Sequence, residues 1–121
     1  MRTKLARAVA TDEPLRLLQG LVGRTFCQPL DVSAETRLAA EFARQVDAGA
    51  LGIGMAHAYY PGADGAEILG VFEAAAALGV PIATHVRGRG LPAVQEVVAN
   101  AAATGAALHV VHVNSSSLAE I

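Results

Sequence analysis

The sequence contains one cysteine, no tryptophan and only five other aromatic side chains in 121 residues. A single cysteine, Cys27, cannot form an internal disulfide, so a disulfide framework is excluded and the cytoplasm is the expected compartment. Lysine and arginine together number 9 against 11 aspartates and glutamates, which gives a net charge of -2. Such a chain lacks the basic field that phosphate backbones require, and we expect no nucleic-acid partner.

Long apolar runs are also absent. Arginine, glutamate, glycine or proline interrupts every stretch before it reaches the roughly 18 apolar residues of a spanning helix. The sequence therefore predicts no membrane segment, and its first ten residues do not resemble a secretory signal. Hydrophobic residues nevertheless make up 53% of the chain, and alanine is the commonest of them. A core of such small side chains would be thin for a domain standing alone.

One pattern occurs three times at intervals of roughly 26 to 30 residues, the length of a βα unit with tight loops. An alanine-rich helical segment reaches a glycine, and a short apolar run follows. The pattern predicts helices over 33–47, 63–78 and 92–104, and strands over 50–55, 80–84 and 106–111. Gly49, Gly79 and Gly105 are the predicted helix ends, and Ser33 is the predicted N-cap of the first helix. The apolar runs do not alternate with polar residues, as is typical of parallel strands buried on both faces.

These units predict an α/β fold with a parallel sheet. Three strands cannot close a barrel, whereas a complete (β/α)8 barrel takes about 250 residues, so we expect the chain to be a fragment supplying close to half of one. Residues 33–121 hold the βα units. Residues 1–32 are less defined, with a short helix over 14–22 and a strand or loop over 24–30. Bare sheet edges favour association, and a homo-oligomer is consistent with this fragment.

Three of the four histidines lie where an apolar run ends: His57, His85 and His112, separated by 28 and 27 residues. Neighbouring parallel strands lie about 4.8 Å apart, so side chains at their carboxyl ends converge at the edge where α/β folds place active sites. Imidazole is a good zinc ligand, and two from adjacent strands can share one ion. His85 and His112 are the predicted pair; the alternative is that each histidine simply caps a loop. His109 is expected to point to the opposite face and to be packed.

Three segments together resemble the amidohydrolase superfamily, and most closely its D-aminoacylase branch. They are GALGIGMAHAYYPGA at 49–63, ATHVR at 83–87 and HVVHVN at 109–114. The resemblance covers residues 33–118, and both the segments and their spacing match.

The resemblance implies a zinc-dependent (β/α)8 TIM barrel of which this chain forms strands 4 to 6. It implies that His85 and His112 are the metal ligands of strands 5 and 6, and that Tyr59 lies near the substrate. It also implies that Arg87 binds the carboxylate of an N-acyl amino acid, because a guanidinium pairs bidentately with a carboxylate. The alternatives are a solvated loop charge for Arg87 and an aromatic packed over Pro61 for Tyr59.

The sequence departs from this family in ways that limit the prediction. The strand 1 His-x-His pair, the strand 2 cysteine ligand and the strand 8 aspartate that acts as general base have no counterpart here. No catalytic residue is therefore assigned, and the chain alone is expected to be inactive. Cys27 does not match the strand 2 ligand. His57 stands where relatives carry an apolar residue, so we expect it to contact substrate rather than metal.

The expected function is thus that of a zinc-dependent hydrolase fragment acting on non-peptide amide bonds, with a small N-acyl-D-amino acid as substrate. Two alternatives remain open. One is a cyclic-amide hydrolase resembling dihydroorotase or hydantoinase, whose strand 6 histidine is closely followed by a serine, as His112 is by Ser115. A carboxylated lysine would favour it, but Lys4 is far from any predicted strand end. The other alternative is a non-catalytic α/β remnant that binds a partner.

Overall fold

The computed structural model describes residues 32–60 and 62–114, which form three successive helix–strand units. The helices are α1 (Val32–Asp47), α2 (Gly65–Leu78) and α3 (Leu91–Thr104), and the strands are β1 (Ile53–Met55), β2 (Ile82–Thr84) and β3 (Leu108–Val110). A short 3-10 helix, His57–Tyr59, follows β1. The predictions for 14–22, 24–30, Cys27 and Ser115 fall outside the described residues. Within the described residues, no helix is long and apolar enough to cross a membrane.

The helices end at the predicted glycines. Gly79 and Gly105 take left-handed backbone angles, with φ of 65° and 77°, and their N–H groups bond back to carbonyls of the last helical turn. Gly49 has a φ of 101°. Glycine accepts these angles without the steric cost that a Cβ brings.

The helix starts differ from the predictions. Helix α1 begins at Val32, so Ser33 lies within it and is not its N-cap. Helix α2 is capped by Asp64, whose Oδ1 accepts a hydrogen bond from the Glu67 N–H at 2.9 Å. This cap satisfies one of the N–H groups that have no partner within the helix.

The three strands form a parallel sheet in the order β1-β2-β3, as predicted. Its cross-strand rows are Ile53–Ile82–Leu108, Gly54–Ala83–His109 and Met55–Thr84–Val110. Each strand has three residues, fewer than the five or six predicted. Consecutive strands are joined through helices, as parallel pairing requires.

The two faces of the sheet are not equivalent. The outer rows join a core with α2 and α3 that is centred on Phe72, Ile68, Ile82 and Val97. The middle row faces the other way, and both Gly54 and His109 in it are exposed. Burial on both faces was therefore a wrong prediction for these strands, because the described residues supply helices to one face only. His109, expected to be packed, lies on the open face.

The start of β1 imposes a close contact that predicts a stability effect. A Cβ at Gly52 would lie 2.7 Å from the Pro81 carbonyl oxygen, which accepts the Ile53 N–H at 2.9 Å. We expect Gly52→Ala to destabilise the chain by about 1–3 kcal/mol, because the first β1–β2 hydrogen bond must shift. Urea unfolding followed by circular dichroism measures this.

Gly70→Ala is the matched control. Gly70 lies inside α2, and a Cβ there would meet nothing within 4 Å. Alanine should raise stability by up to about 1 kcal/mol, because it favours the helix. Equal effects of the two substitutions would contradict the proposed contact.

Candidate functional site

His85 and His112 meet at the carboxyl edge of the sheet. His85 directly follows β2, and its N–H donates to the Met55 carbonyl at 2.9 Å, which extends the β1–β2 pairing by one residue. His112 lies two residues past β3. The two imidazole centroids are 4.4 Å apart with an interplanar angle of 50°, and His85 Nδ1 contacts His112 Nε2. The structure thus brings together the two histidines that the sequence predicts to converge.

The backbone at His112 contributes to this approach. Its φ of 35° makes it the one non-glycine residue with a positive φ in the described part of the chain. Left-handed angles are uncommon for residues other than glycine, and strained backbone of this kind clusters at functional sites. The turn at His112 ends the strand and places its ring beside that of His85.

The chemistry of this pair suits a metal ion. Two imidazoles that lie side by side are a typical partial ligand set for zinc. Burial, and secondly the neighbouring His112, lower the pKa of His85, which favours the neutral imidazole that binds metals. No cluster of three or more His, Cys, Asp or Glu side chains able to hold a metal occurs in residues 32–60 and 62–114. The described residues therefore bring together two side chains suited to a metal ion, fewer than the three or four of a stable zinc site.

Tyr59 lies against this pair. Its ring stacks on the His85 imidazole with centroids 5.4 Å apart and an interplanar angle of 13°. The residue is 63% exposed, so the outer surface of the ring is open. The 3-10 helix His57–Tyr59 positions the ring, because it turns the chain immediately after β1. Tyr59 thus lies beside the His85–His112 pair, where the resemblance to the D-aminoacylase branch implies a substrate contact.

His57 lies beneath the sheet edge rather than beside the other two histidines. It is 2% exposed, and its Nδ1 is 3.1 Å from the Thr84 hydroxyl oxygen. Its Nε2 is buried and has no hydrogen-bond partner among the described residues. Burial lowers the pKa of His57 to about 4, so the ring is neutral near pH 7. The third histidine of the repeat therefore belongs to the helix-covered side.

Arg87 is held by two partners. Its Nε and Nη2 donate to the Glu96 carboxylate at 2.9 and 2.5 Å, and its Nη1 donates to the Ala63 carbonyl oxygen at 2.9 Å. These bonds use three of the five N–H groups of a guanidinium. Two N–H groups remain for another acceptor.

Two contributors to the site were missed by sequence reasoning. Thr84 looks like an ordinary strand residue, and Glu96 like a helix surface charge nine positions after Arg87. Alternation along β2 could have assigned Thr84 to the helix side, opposite His85. No local pattern links Glu96 to Arg87, because their contact depends on how α3 packs.

Solved structures that resemble this chain are deacylases. One is N-acyl-D-glutamate deacylase from Bordetella bronchiseptica in complex with zinc and a phosphonate mimic of the tetrahedral intermediate; the TM-score is 0.67 at 27% identity, over 75% of this chain and 20% of that chain. Another is a D-aminoacylase that defines a subset of amidohydrolases, with a TM-score of 0.68 at 21% identity, over 77% and 21% of the two chains. A further D-aminoacylase structure, with a binuclear metal centre, gives a TM-score of 0.66 at 21% identity over 75% and 20%.

The predicted resemblance to the D-aminoacylase branch is therefore confirmed by structure. The α/β architecture with its parallel sheet is consistent with part of an amidohydrolase fold. This chain spans about a fifth of the length of the structures it matches. No protein-family model matches it, and neither does any curated protein.

The neutral state of buried His57 predicts a pH-dependent stability. The pKa of His57 is about 4 in the folded chain, whereas its ordinary value is 6.5. Between pH 4 and pH 6.5 the imidazole is therefore protonated in the unfolded chain but neutral in the folded chain. Stability should fall as the pH drops from 6.5 towards 4, with no contribution above 6.5. His57→Leu should reduce the loss of unfolding free energy between pH 7 and pH 4.5 by about 2–3 kcal/mol.

Urea unfolding at both pH values measures this loss. In His57→Leu the Thr84 hydroxyl loses its partner, which lowers the unfolding free energy at both pH values. This cost cancels, because the loss is the difference between the two values. His109→Gln, at an exposed position of β3, is the control and should retain the wild-type pH dependence. An unchanged loss in His57→Leu would show that His57 is not the group responsible.

Proposed function

We propose that this chain forms strands 4 to 6 of the barrel of a zinc-dependent amidohydrolase that removes the acyl group from an N-acyl-D-amino acid. The observation that carries the proposal is the convergence of His85 Nδ1 and His112 Nε2 at the carboxyl edge of a parallel sheet. The resemblance to structures of D-aminoacylase and N-acyl-D-glutamate deacylase supports the same chemistry. The substrate class proposed is therefore a small amide bearing a carboxylate.

His85 and His112 would hold the metal ion. When bound, zinc polarises the amide carbonyl and lowers the pKa of a coordinated water towards 7. The hydrogen bond from the His85 N–H to Met55 fixes the backbone from which the first imidazole projects. The turn at His112 brings in the second imidazole.

Two further side chains would bind and orient the substrate. The exposed ring of Tyr59 forms one wall beside His85. The two remaining N–H groups of Arg87 are suited to the substrate carboxylate, because charge-assisted bonds from a guanidinium to a carboxylate are strong. His57, expected from the sequence to contact substrate, is not assigned to the substrate site, because it is buried on the helix-covered side with its Nε2 enclosed. A small N-acyl amino acid presents a carboxylate to Arg87.

Zinc titration of the tag-free chain tests the metal site. We expect calorimetry to detect one weakly bound zinc per chain, which desalting removes, because two protein ligands are fewer than the three or four of stable zinc sites. His85→Ala and His112→Ala should each abolish the binding. His109→Ala is the matched control, since His109 lies three residues from His112 on the open face and should bind zinc like the wild type. Wild-type zinc binding in either of the first two variants would contradict the site.

Turnover by the isolated chain tests the assignment of the missing base. With excess zinc and N-acetyl-D-glutamate, we expect no release of free amino group above the background, because the family's general base is the strand 8 aspartate. An amine-reactive fluorescent assay measures the release. Metal-dependent hydrolysis that His112→Ala abolishes would show instead that this chain contains its own base.

A further inference from the structure

The Arg87 side chain connects three segments around the histidine pair. It belongs to the loop after β2, two residues beyond His85. Its Nη1 reaches the carbonyl of Ala63, in the loop between β1 and α2, while its Nε and Nη2 reach Glu96 on α3. The contacts span 24 and 9 residues of sequence, so neither is a neighbouring pair on one helix. An exposed loop charge would make no such set of bonds.

We propose that Glu96 is a positioning residue that acts through Arg87 to hold the loop bearing Tyr59 against the loop bearing His85. A carboxylate that accepts two parallel hydrogen bonds fixes the plane of the guanidinium as well as its distance. The third donor then has a defined direction, towards Ala63. Glu96 thus fixes the position of the guanidinium, and Arg87 in turn binds the Ala63 carbonyl in the β1–α2 loop.

Backbone hydrogen bonds in the loop between β1 and α2 connect Ala63 to the segment that carries the Tyr59 ring. The Ala63 N–H donates to the Tyr60 carbonyl at 3.0 Å, and the Tyr60 N–H donates to the His57 carbonyl at 3.1 Å. The Tyr59 N–H donates to the Ala56 carbonyl at 3.0 Å. Because these turns succeed one another, fixing the Ala63 carbonyl restrains the segment from which Tyr59 projects. The Tyr59–His85 stack therefore depends on a bond made four residues further along.

The environment favours a persistent pair. The side chains of Arg87 and Glu96 are 40% and 23% exposed, so solvent screens them less than it screens a fully exposed pair. Ala63 is buried, and its carbonyl would lose a partner if the guanidinium moved away. Glu96 and Ala63 together leave two N–H groups of Arg87 unused. Positioning the loops and receiving a carboxylate are therefore compatible roles for Arg87.

The test is the distance between the two stacked rings in the metal-free chain, measured by nuclear Overhauser effects between Tyr59 and His85 protons. In Glu96→Gln we expect these cross-peaks to weaken at least twofold. Glu73→Gln, an exposed carboxylate on α2, is the matched control and should leave them unchanged. Far-UV circular dichroism and an unaltered Phe72–Val97 core spectrum confirm that each variant is folded.

A second variant shows whether Glu96 acts through Arg87. Arg87→Gln should weaken the same cross-peaks, and adding Glu96→Gln to it should cause no further loss, because two residues that act as one unit are not additive. If Glu96→Gln fails to fold, Arg87→Gln alone still tests the restraint. Wild-type cross-peaks in either single variant, or equal weakening in Glu73→Gln, would overturn the proposal.

The proposal rests on the proposed function only in taking the histidine pair as the site. The ring distance is measured without metal or substrate. A chain that binds no zinc can therefore still show the restraint, and a chain that binds zinc can lack it.

Discussion

Parallel hydrogen bonding of β2 to a strand on each side is the constraint from which the rest of the site follows. The pairing sets Met55, Thr84 and Val110 in one row at the carboxyl ends of the three strands. All three strands end at the same edge of the sheet. The hydrogen bonding between strands continues one step beyond them, from the His85 N–H to the Met55 carbonyl and from the Val111 N–H to the Thr84 carbonyl. A shift of one residue in the register would turn every following side chain to the other face. His85 and His112 would then no longer meet.

Alternation along β2 divides the polar groups of this edge into two environments. Thr84 is fully buried on the helix side and bonds to His57, whose burial keeps the ring neutral. The next residue, His85, belongs to the open side and contacts His112 and Tyr59. One residue of chain therefore separates a buried structural pair from an accessible cluster suited to ligands. Buried and exposed imidazoles at the same edge consequently have different chemistry.

The loops at this edge are held by side chains that come from outside it. Glu96 belongs to α3, yet through Arg87 it contacts the loop that follows β1. Loops carry functional groups in many α/β proteins because a rigid scaffold presents them. Here the loop after β1 is held not only by the end of the strand but also by the Arg87–Glu96 ion pair, which connects it to α3. The position of Tyr59 thus depends on α3, a helix three elements further along the chain.

The amino-acid sequence was enough to predict the helix–strand order, the helix ends at Gly79 and Gly105, the parallel sheet and the approach of His85 to His112. These properties follow from local conformational preference and from a repeat that returns equivalent residues to the same edge. The start of α1, the length of the strands and the open face of the sheet were not predictable in this way. They depend on which elements are present to pack against one another. The contacts of His57 with Thr84 and of Arg87 with Glu96 were not predictable from the sequence. Both depend on how the helices pack against the sheet and the loops.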